Sequence, residues 1–279
     1  MLHWQTARHR LPLSQPLVMG IVNVTPDSFS DGGAHATADA AKAHCERLVR
    51  DGANILDIGG ESTRPGAETL SLAEELARVL PVLRHAVSLG VAVSVDTSQP
   101  QVMSQALDLG VDIVNDVRSL QRPGALEVLA AHTTAGVCLM HMRGEPGTMQ
   151  GDTRYADVVT EVRDWLAARC RDVQAAGVAL DRIVLDPGIG FAKTPDHNWS
   201  LLQRQAELMS LGRPLLLGWS RKGTLGRLTG RDAQHRQSAS VAAALACIQR
   251  GAAIVRVHDV AETVDAIKVW RAAGLLQAV

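Results

Sequence analysis

Ile183-Val184-Leu185-Asp186 is one of four short apolar runs that close on a carboxylate or a carboxamide. The other three are Ile55-Leu56-Asp57-Ile58, Val93-Ser94-Val95-Asp96 and Ile113-Val114-Asn115-Asp116. Runs of this kind are typical of parallel strands buried on both faces. A charged group at the mouth of such a sheet loses hydration unless a ligand or cation pairs with it, so the runs predict a ligand site. As an alternative, each Asp could simply cap the helix that follows it.

Apolar runs and longer helical patterns alternate along the whole chain. Leu72, Leu76, Val79 and Leu83, for example, form one stripe of an amphipathic helix over residues 71–89. Eight strands are predicted, at residues 17–23, 54–59, 91–96, 112–116, 137–142, 182–186, 214–219 and 253–257. Strict alternation predicts a single (β/α)8 TIM barrel at residues 17–279, with its active site at the C-terminal ends of the strands. Residues 1–16 are predicted to be a leader lying across the barrel floor.

Composition excludes several classes of function. The 279 residues carry a formal net charge of −1 and only 3% aromatic residues, which predicts neither a nucleic-acid footprint nor a platform for stacking bases. The longest apolar stretch, residues 241–248, is too short to span a membrane, and no targeting segment is expected. Four cysteines without a close pair indicate reduced thiols and a cytoplasmic location.

Cations and hard oxygen donors also occur at predicted strand ends. Arg256 and His258 lie two residues apart at the end of the last strand, so both side chains point to one face. The loops after strands 7 and 8 of such barrels commonly bind phosphate, although a lone His is more often a packed or surface residue. Asn23 and Asp31 could hold a magnesium ion together with phosphate oxygens. Ordinary turn chemistry is the alternative for the loop that contains Asp31.

Seven motifs stand at predicted strand ends. They are Asn23-Val-Thr-Pro-Asp-Ser-Phe-Ser-Asp-Gly-Gly33, Asp57-Ile-Gly-Gly-Glu-Ser-Thr-Arg-Pro-Gly66, Ser94-Val-Asp-Thr97, Leu139-Met-His-Met142, Asp186-Pro-Gly-Ile-Gly-Phe191, Ser220-Arg-Lys222 and Arg256-Val-His-Asp259. In this order they resemble the motifs of the dihydropteroate synthase family, and the resemblance runs from about residue 17 to the C-terminus.

The resemblance implies an enzyme that joins 6-hydroxymethyl-7,8-dihydropterin diphosphate to p-aminobenzoate in folate biosynthesis, releasing pyrophosphate. It implies Mg²⁺ as cofactor, sulfonamides as inhibitors and a homodimer as assembly. The diphosphate would leave first and the aniline nitrogen would then attack the pterin methyl cation. Implied catalytic residues are Asp31, Arg64, Asp96, Lys222, Arg256 and His258, with Asn23 and Asp31 as metal ligands. Implied substrate-binding residues are Phe29, Thr63, Pro65, Asp96, Asn115, Met140, Asp186, Phe191, Lys222, Gly223, Arg256 and His258.

Four positions depart from the family pattern: Gly223, Trp219, and Ala192 and Ala239, where the family often has Gly. Gly223 stands where the family usually has a Ser that helps to bind the p-aminobenzoate carboxylate, so only a backbone N–H remains there. Trp219 replaces a smaller apolar residue and is expected to refill part of the space. Two other functions stay open at this point: a methyltetrahydrofolate-dependent methyltransferase on a similar barrel, and a non-catalytic pterin-binding homologue. Arg256, His258 and the loop after strand 1 favour the synthase, because the methyltransferase needs no diphosphate site.

Overall fold

Eight parallel strands form the centre of the molecule in a computed structural model, which describes residues 2–25, 33–61, 70–145 and 147–276, with backbone alone at 33–36. Two further strands precede them, β1 (His3–Gln5) and β2 (Arg10–Pro12). The eight are β3 (Leu17–Asn23), β4 (Ile55–Gly59), β5 (Ala92–Asp96), β6 (Ile113–Asp116), β7 (Gly136–Met140), β8 (Ile183–Asp186), β9 (Leu216–Leu217) and β10 (Ile254–Val257).

Helices connect successive strands on the outside of the sheet. They are α1 (Gly33–Arg50), α2 (Leu72–Val87), α3 (Pro100–Asp108), α4 (Ala125–Ala131), α5 (Val158–Ala175), α6 (Pro195–Gln203), α7 (Gln205–Met209), α8 (Gly223–Thr229), α9 (Gln237–Gln249) and α10 (Val260–Ala272). A capping box starts α2, where the Ser71 hydroxyl accepts from the Glu74 backbone N–H. None of the helices in the described ranges is long and apolar enough to cross a membrane.

The sheet closes into a barrel. Its strand order is β8-β7-β6-β5-β4-β3-β10-β9, and an isolated parallel bridge between Leu185 and Leu215 joins the two ends of that order. The predicted (β/α)8 fold is therefore confirmed. Most strand bounds agree with the prediction to within two residues. β9 is shorter than predicted, because the Trp219 carbonyl already accepts from the Lys222 N–H and the chain turns there.

An antiparallel hairpin, β1–β2, covers the end of the barrel where the strands begin. Its Trp4 and Leu13 pack with the first residues of the strands, among them Ile55 and Ile113. Trp4 Nε1 donates to the Arg182 carbonyl at 2.9 Å. The sequence analysis did not predict this hairpin, because strands of three residues are too short to show a period of two. The domain boundary predicted at residue 16 stays a prediction.

Side-chain alternation along the strands explains where the charges lie. Ile55, Ala92, Ile113, Val184 and Ile254 belong to the apolar cluster at the strand starts. Residues two positions further along each strand point to the same side of the sheet. In all five of these strands the same side therefore carries a polar residue higher up: Asp57 and then Gly59 in β4, Ser94 and then Asp96 in β5, Asn115 in β6, Asp186 in β8, and Arg256 in β10. The barrel interior is thus apolar at its floor and charged at its mouth.

Candidate active site

Arg256 of β10 holds two carboxylates from neighbouring strands. Its Nε donates to Asp57 Oδ2 at 2.6 Å, and its Nη2 donates to Asp96 Oδ2 at 2.7 Å. Asn115 Nδ2 donates to the same Asp57 oxygen at 3.1 Å. Asp57 is fully buried, and its Oδ1 is a buried atom without a partner among the described residues. The four side chains form one network across the mouth of the barrel.

Burial and the opposite charge of the partner act in opposite directions on the pKa values of Asp96 and Arg256. Burial raises the pKa of Asp96 to about 7, although Arg256 acts to lower it and Asp57 acts to raise it further. Burial disfavours the charged form of Arg256 as well, but Asp57 and Asp96 outweigh that effect, and the net change in the Arg256 pKa is upward. Arg256 therefore stays charged, while Asp96 can gain or lose a proton near neutral pH.

Asp186 is the next carboxylate around the mouth, at the end of β8. Its Oδ1 accepts from the Gly188 N–H at 2.7 Å, and the residue is 8% exposed. Burial raises the Asp186 pKa, against the lowering effects of the Gly188 N–H and of Lys222. Gly188 has a φ of +70°, and a Cβ there would lie 2.0 Å from the His141 carbonyl oxygen, so only glycine fits.

Lys222 and Phe191 face each other beside Asp186. The Lys222 Nζ lies 4.2 Å from the centroid of the Phe191 ring, which is a cation–π contact. Burial lowers the pKa of Lys222 to about 8, and the Arg256 charge acts in the same direction. Phe191 and Met140 belong to one buried apolar cluster, so an apolar wall and an ammonium group border the carboxylate.

Gly223 is the first residue of α8. A Cβ built on it would meet no atom of the described residues within 4 Å. Trp219 is 2% exposed and packs in the core, with its ring centroid 4.8 Å from that of Trp199. The expectation that Trp219 refills the space at Gly223 is therefore wrong, because the indole packs into the core instead.

His258 and Asn23 lie at the remaining strand ends. The Ser220 hydroxyl and His258 Nδ1 are 2.9 Å apart, and the His258 backbone N–H donates to the same hydroxyl at 3.1 Å. Asn23 ends β3 and is half-buried. No group of three or more His, Cys, Asp or Glu side chains within the described ranges could hold a metal ion. One amide oxygen suits a magnesium ion that keeps waters and takes further oxygens from a diphosphate.

Asp116, at the end of β6, uses its carboxylate to accept hydrogen bonds from the loop that follows it and from Ser98. Its Oδ1 accepts from the Ser98 hydroxyl and from the Arg118 N–H, and its Oδ2 accepts from the Leu120 N–H. The loop contains Ser119 at a φ of +53° and Leu120 at +60°, which these bonds help to hold. The alternative that Asp116 caps the following helix is wrong, because α4 begins after Gly124 and has no side-chain cap. Asp116 bonds its own loop instead, and it contributes no free carboxylate to the mouth.

The structure brings together most of the predicted site residues that it describes. Asp96, Asn115, Asp186, Lys222 and Arg256 converge at the mouth, with Met140, Phe191, Gly223, His258 and Asn23 at or beside the ends of their strands. Five predicted residues lie outside the described ranges, namely Phe29, Asp31, Thr63, Arg64 and Pro65.

Sequence reasoning gave no site role to Ser220, His141 or Lys193. It counted Asp57 among the acids that predict a ligand site but gave it no specific role. The alternation of β4 could have added it to the site residues, because Asp57 stands two residues after the inward-facing Ile55. Ser220 belongs to the Ser220-Arg-Lys222 motif, but a serine hydroxyl does not by itself indicate which group it will hydrogen-bond. The His141–Lys193 contact joins two loops 52 residues apart, and neither residue alone signals it.

Comparison with known proteins shows which family shares this sequence and fold. A sequence model of the pterin binding enzyme family matches residues 19–258. The dihydropteroate synthase of Neisseria meningitidis serogroup B is 53% identical over 278 residues, covering 98% of both chains. The Xanthomonas albilineans dihydropteroate synthase with 4-aminobenzoic acid has a TM-score of 0.90 at 48% identity, covering 96% of each chain. The Burkholderia cenocepacia enzyme complexed with 7,8-dihydropteroate has a TM-score of 0.89 at 47% identity, covering 98% of this chain and 96% of that one.

Fold, site and matches together define a class, the pterin-binding enzymes built on a (β/α)8 barrel with a charged mouth. Within that class, the similarity to dihydropteroate synthases extends over nearly the whole chain. The chain belongs to the dihydropteroate synthase family and is an enzyme, a transferase.

Proposed function

We propose that the enzyme condenses 6-hydroxymethyl-7,8-dihydropterin diphosphate with p-aminobenzoate, giving 7,8-dihydropteroate and pyrophosphate. The observation that carries the proposal is the convergence of Asp96, Asn115 and Asp186 at the barrel mouth beside the cations of Lys222 and Arg256. Carboxylate and amide oxygens suit the N–H donors of a pterin edge, and the cations suit a diphosphate. The ligands in the Xanthomonas and Burkholderia enzymes support both substrate classes.

Hydrogen bonds already made inside the site limit how a pterin would bind. The Asn115 amide N–H₂ group donates to Asp57, so its carbonyl oxygen is left to accept from the pterin. One oxygen of Asp186 accepts from Gly188, which orients the carboxylate toward the pterin's amino-pyrimidinone edge. Lys222 would donate to the pterin carbonyl, and Met140 would border the ring. These groups bind and orient the pterin without forming a covalent bond to it.

Charge separation would dominate the reaction. As the carbon–oxygen bond to the diphosphate breaks, Arg256 and His258, with Arg64, would stabilise the leaving group's negative charge. Bound magnesium would neutralise charge on the diphosphate oxygens, with Asn23 and Asp31 as its protein ligands. Asp96 and Asp31 would favour the electron-poor pterin methylene carbon. The aniline nitrogen is already a nucleophile, so the mechanism needs no dedicated base.

The p-aminobenzoate would lie outside the pterin. Phe191 would form one wall of its slot, with Phe29 and Pro65 from the first two loops as the others, and Thr63 as a polar contact. The Gly223 backbone N–H would meet the carboxylate. Excluding water from this slot would protect the pterin cation from hydrolysis. A sulfonamide drug complex of the similar Yersinia pestis synthase supports the inhibitor class that we expect.

We further propose a homodimer in the cytoplasm. Four buried free cysteines in the described ranges fit a reducing compartment. The methyltransferase and the non-catalytic homologue find no support, because the relatives named above are dihydropteroate synthases that cover nearly the whole chain.

Pyrophosphate release tests the proposal. Purified protein is given the pterin diphosphate and magnesium, with and without p-aminobenzoate, and dihydropteroate is identified by mass. We expect release that depends on p-aminobenzoate, matches dihydropteroate mole for mole and stops when EDTA removes the metal. Tight pterin binding without turnover would reject the proposal, and turnover that survives EDTA would reject the role of magnesium alone.

A further inference from the structure

A buried ammonium group, that of Lys193, lies in the loop that follows Asp186 and has no part in the reaction proposed above. Lys193 is 3% exposed. Its Nζ lies 3.0 Å from His141 Nδ1, 3.0 Å from the Phe191 carbonyl oxygen and 3.4 Å from the His141 carbonyl oxygen. An ammonium group has three N–H donors, and here three acceptors surround it. The charge is therefore solvated by the protein.

The His141 imidazole is in the protonation state that it needs to accept a hydrogen bond from this lysine. Burial lowers the pKa of His141 to about 2, and the charge of Lys193 acts in the same direction, so the imidazole is neutral. For Nδ1 to accept from an ammonium, the ring proton must be on Nε2. Trp165 packs against the ring edge-on at a centroid distance of 5.2 Å, which fixes the imidazole plane.

The same contacts fix the loop that carries two site residues. The His141 N–H donates to the Asp186 carbonyl at 2.9 Å, which ties the end of β7 to the end of β8. Lys193 then bonds both the His141 and the Phe191 carbonyl oxygens, which draws the loop back onto His141. Ala192, between Phe191 and Lys193, has a φ of +50°, a left-handed conformation that is strained for a residue with a Cβ. The lysine contacts hold this strained segment in place.

Several charges face Lys193 and Asp186. Burial lowers the pKa of Lys193 to about 7, while Asp186 acts to raise it and Lys222 and Arg143 act to lower it. Lys193, Lys222 and Arg256 all act to lower the Asp186 pKa, against the larger effect of burial. Lys222 and Arg256 belong to the substrate-facing side of the site, whereas Lys193 is fully enclosed by protein.

We propose that Lys193 is a positioning residue of the pterin site: held by His141, it places a buried positive charge behind Asp186 and fixes the loop that carries Phe191. It acts through Asp186 and Phe191. The inference rests on the proposed function, because it assumes that Asp186 grips the pterin.

Lys193→Met tests it, since methionine is about as long but has neither charge nor donors. The dissociation constant of the pterin diphosphate is measured by calorimetry without p-aminobenzoate, from pH 5 to pH 9. We expect binding to weaken by about tenfold at the acidic end of this range and less at its alkaline end, because a nearby opposite charge shifts a carboxyl pKa by about one unit or more. The Asp186 pKa rises when the cation is lost. The acidic limb of the binding profile, in which affinity falls as the pH is lowered, should therefore move to higher pH.

Arg182→Met is the matched control. Arg182 is a second buried cation, placed just before β8 at the floor end of the barrel, and it donates to the carbonyls of Ala135, Leu129 and His132. Arg182→Met, like Lys193→Met, should lower the melting temperature. Unlike Lys193→Met, it should have the wild-type pterin affinity and the wild-type acidic limb. A purely structural role for Lys193 predicts the same result for both variants.

Equal pterin affinity and equal acidic limbs in the two Met variants would overturn the inference. If Lys193→Met does not fold, Lys193→Gln takes its place, since glutamine is uncharged and keeps two N–H donors. Failure of both Lys193 variants to fold, with Arg182→Met folded, would make the role structural and overturn the inference as well. Absence of pterin binding in the wild type would instead reject the proposed function, which separates the two failures.

Discussion

At Gly223 a single hydroxyl separates this chain from the family pattern, and the structure shows room for it. No described atom lies within 4 Å of a Cβ built there. We expect Gly223→Ser to bind p-aminobenzoate about tenfold more tightly, because a hydrogen bond to a charged group contributes about 1.5 kcal/mol or more. Calorimetry in the presence of pyrophosphate and a pterin measures the affinity.

Gly223→Ala is the control for this prediction, because it adds the Cβ and reduces backbone freedom without adding a donor. It should leave the p-aminobenzoate affinity close to that of the wild type. Unchanged affinity in Gly223→Ser would show that the backbone N–H suffices. A gain of equal size in both variants would assign the effect to the backbone and not to the hydroxyl.

Asp96 makes stability depend on pH. Burial raises its folded-state pKa to about 7, against an ordinary value of 3.8. Between about pH 4 and pH 7 the folded protein thus binds more protons than the unfolded chain, and stability falls as pH rises through that window. Asp96→Asn removes this dependence. We expect its melting temperature, relative to the wild type, to be higher at pH 8 than at pH 5, while activity is lost.

Asp265→Asn is the control for the pH effect, because Asp265 is an exposed residue of α10, bonded at the surface to Lys268. Its melting temperature should differ from that of the wild type by the same small amount at both pH values. An offset for Asp96→Asn that is the same at pH 5 and pH 8 would contradict a raised Asp96 pKa.

The residues at the barrel mouth also show how far sequence reasoning reaches. Strand alternation puts Asp57, Asp96, Asn115 and Asp186 on the inner side of the sheet. In the structure Asp57 and Asp96 bond Arg256, Asn115 bonds Asp57, and Asp186 lies near Lys222. Which oxygen pairs with which donor depends on strand register and distances of a few tenths of an ångström. The sequence therefore could not show that Asp116 bonds its own loop while Asp57 orients Arg256.

At the scale of the elements, the β1–β2 hairpin depends on an ion pair between the exposed Arg8 and the buried Asp112. Arg8, between the two strands, donates through Nη2 to Asp112 at 2.6 Å and through Nη1 to the Val87 carbonyl at 2.8 Å. We expect Arg8→Met to destabilise the protein by about 1–2 kcal/mol, because the buried carboxylate loses a charged donor while two backbone N–H groups still bond it. Denaturant unfolding measures the change.

Arg10→Met on β2 is the control for the hairpin, since Arg10 is exposed and its guanidinium contacts His3. Its stability should change by less than about 0.5 kcal/mol, as is usual for surface substitutions. Both variants should keep wild-type affinity for the pterin, because the hairpin lies at the opposite end of the barrel from the site. Equal loss of stability in the two variants would contradict the role of the Arg8–Asp112 pair.

The elements differ in how well their sequence signals them. Strands buried on both faces are rich in Val, Ile and Leu and are bounded by helices, so their positions are predictable to within two residues. The hairpin strands have three residues each, and their stability comes from contacts such as Trp4 with the Arg182 carbonyl, 178 residues away. Local pattern carries no information about a partner that distant.

For the whole molecule we expect a homodimer, and one exposed apolar side chain allows a test. Val269 of α10 is 64% exposed, which is unusual for valine. If the late helices form the interface, Val269→Glu should shift the protein toward monomer in sedimentation velocity at micromolar concentration. Leu2→Glu, at a 48% exposed leucine on the N-terminal segment, should not. A wild-type monomer would contradict the expected assembly.

The apolar floor has a consequence for the order of events in catalysis. Trp4 and Leu13 close the barrel at the strand starts together with the first residues of the strands, so the described part of the chain leaves the site no entrance from that end. If the pterin binds at the bottom of the site and p-aminobenzoate binds between it and the barrel mouth, the pterin must bind first. Both substrates enter through the mouth, and the product must leave through it. Steady-state kinetics should then show compulsory ordered addition, and p-aminobenzoate bound too early would block the enzyme at high concentration.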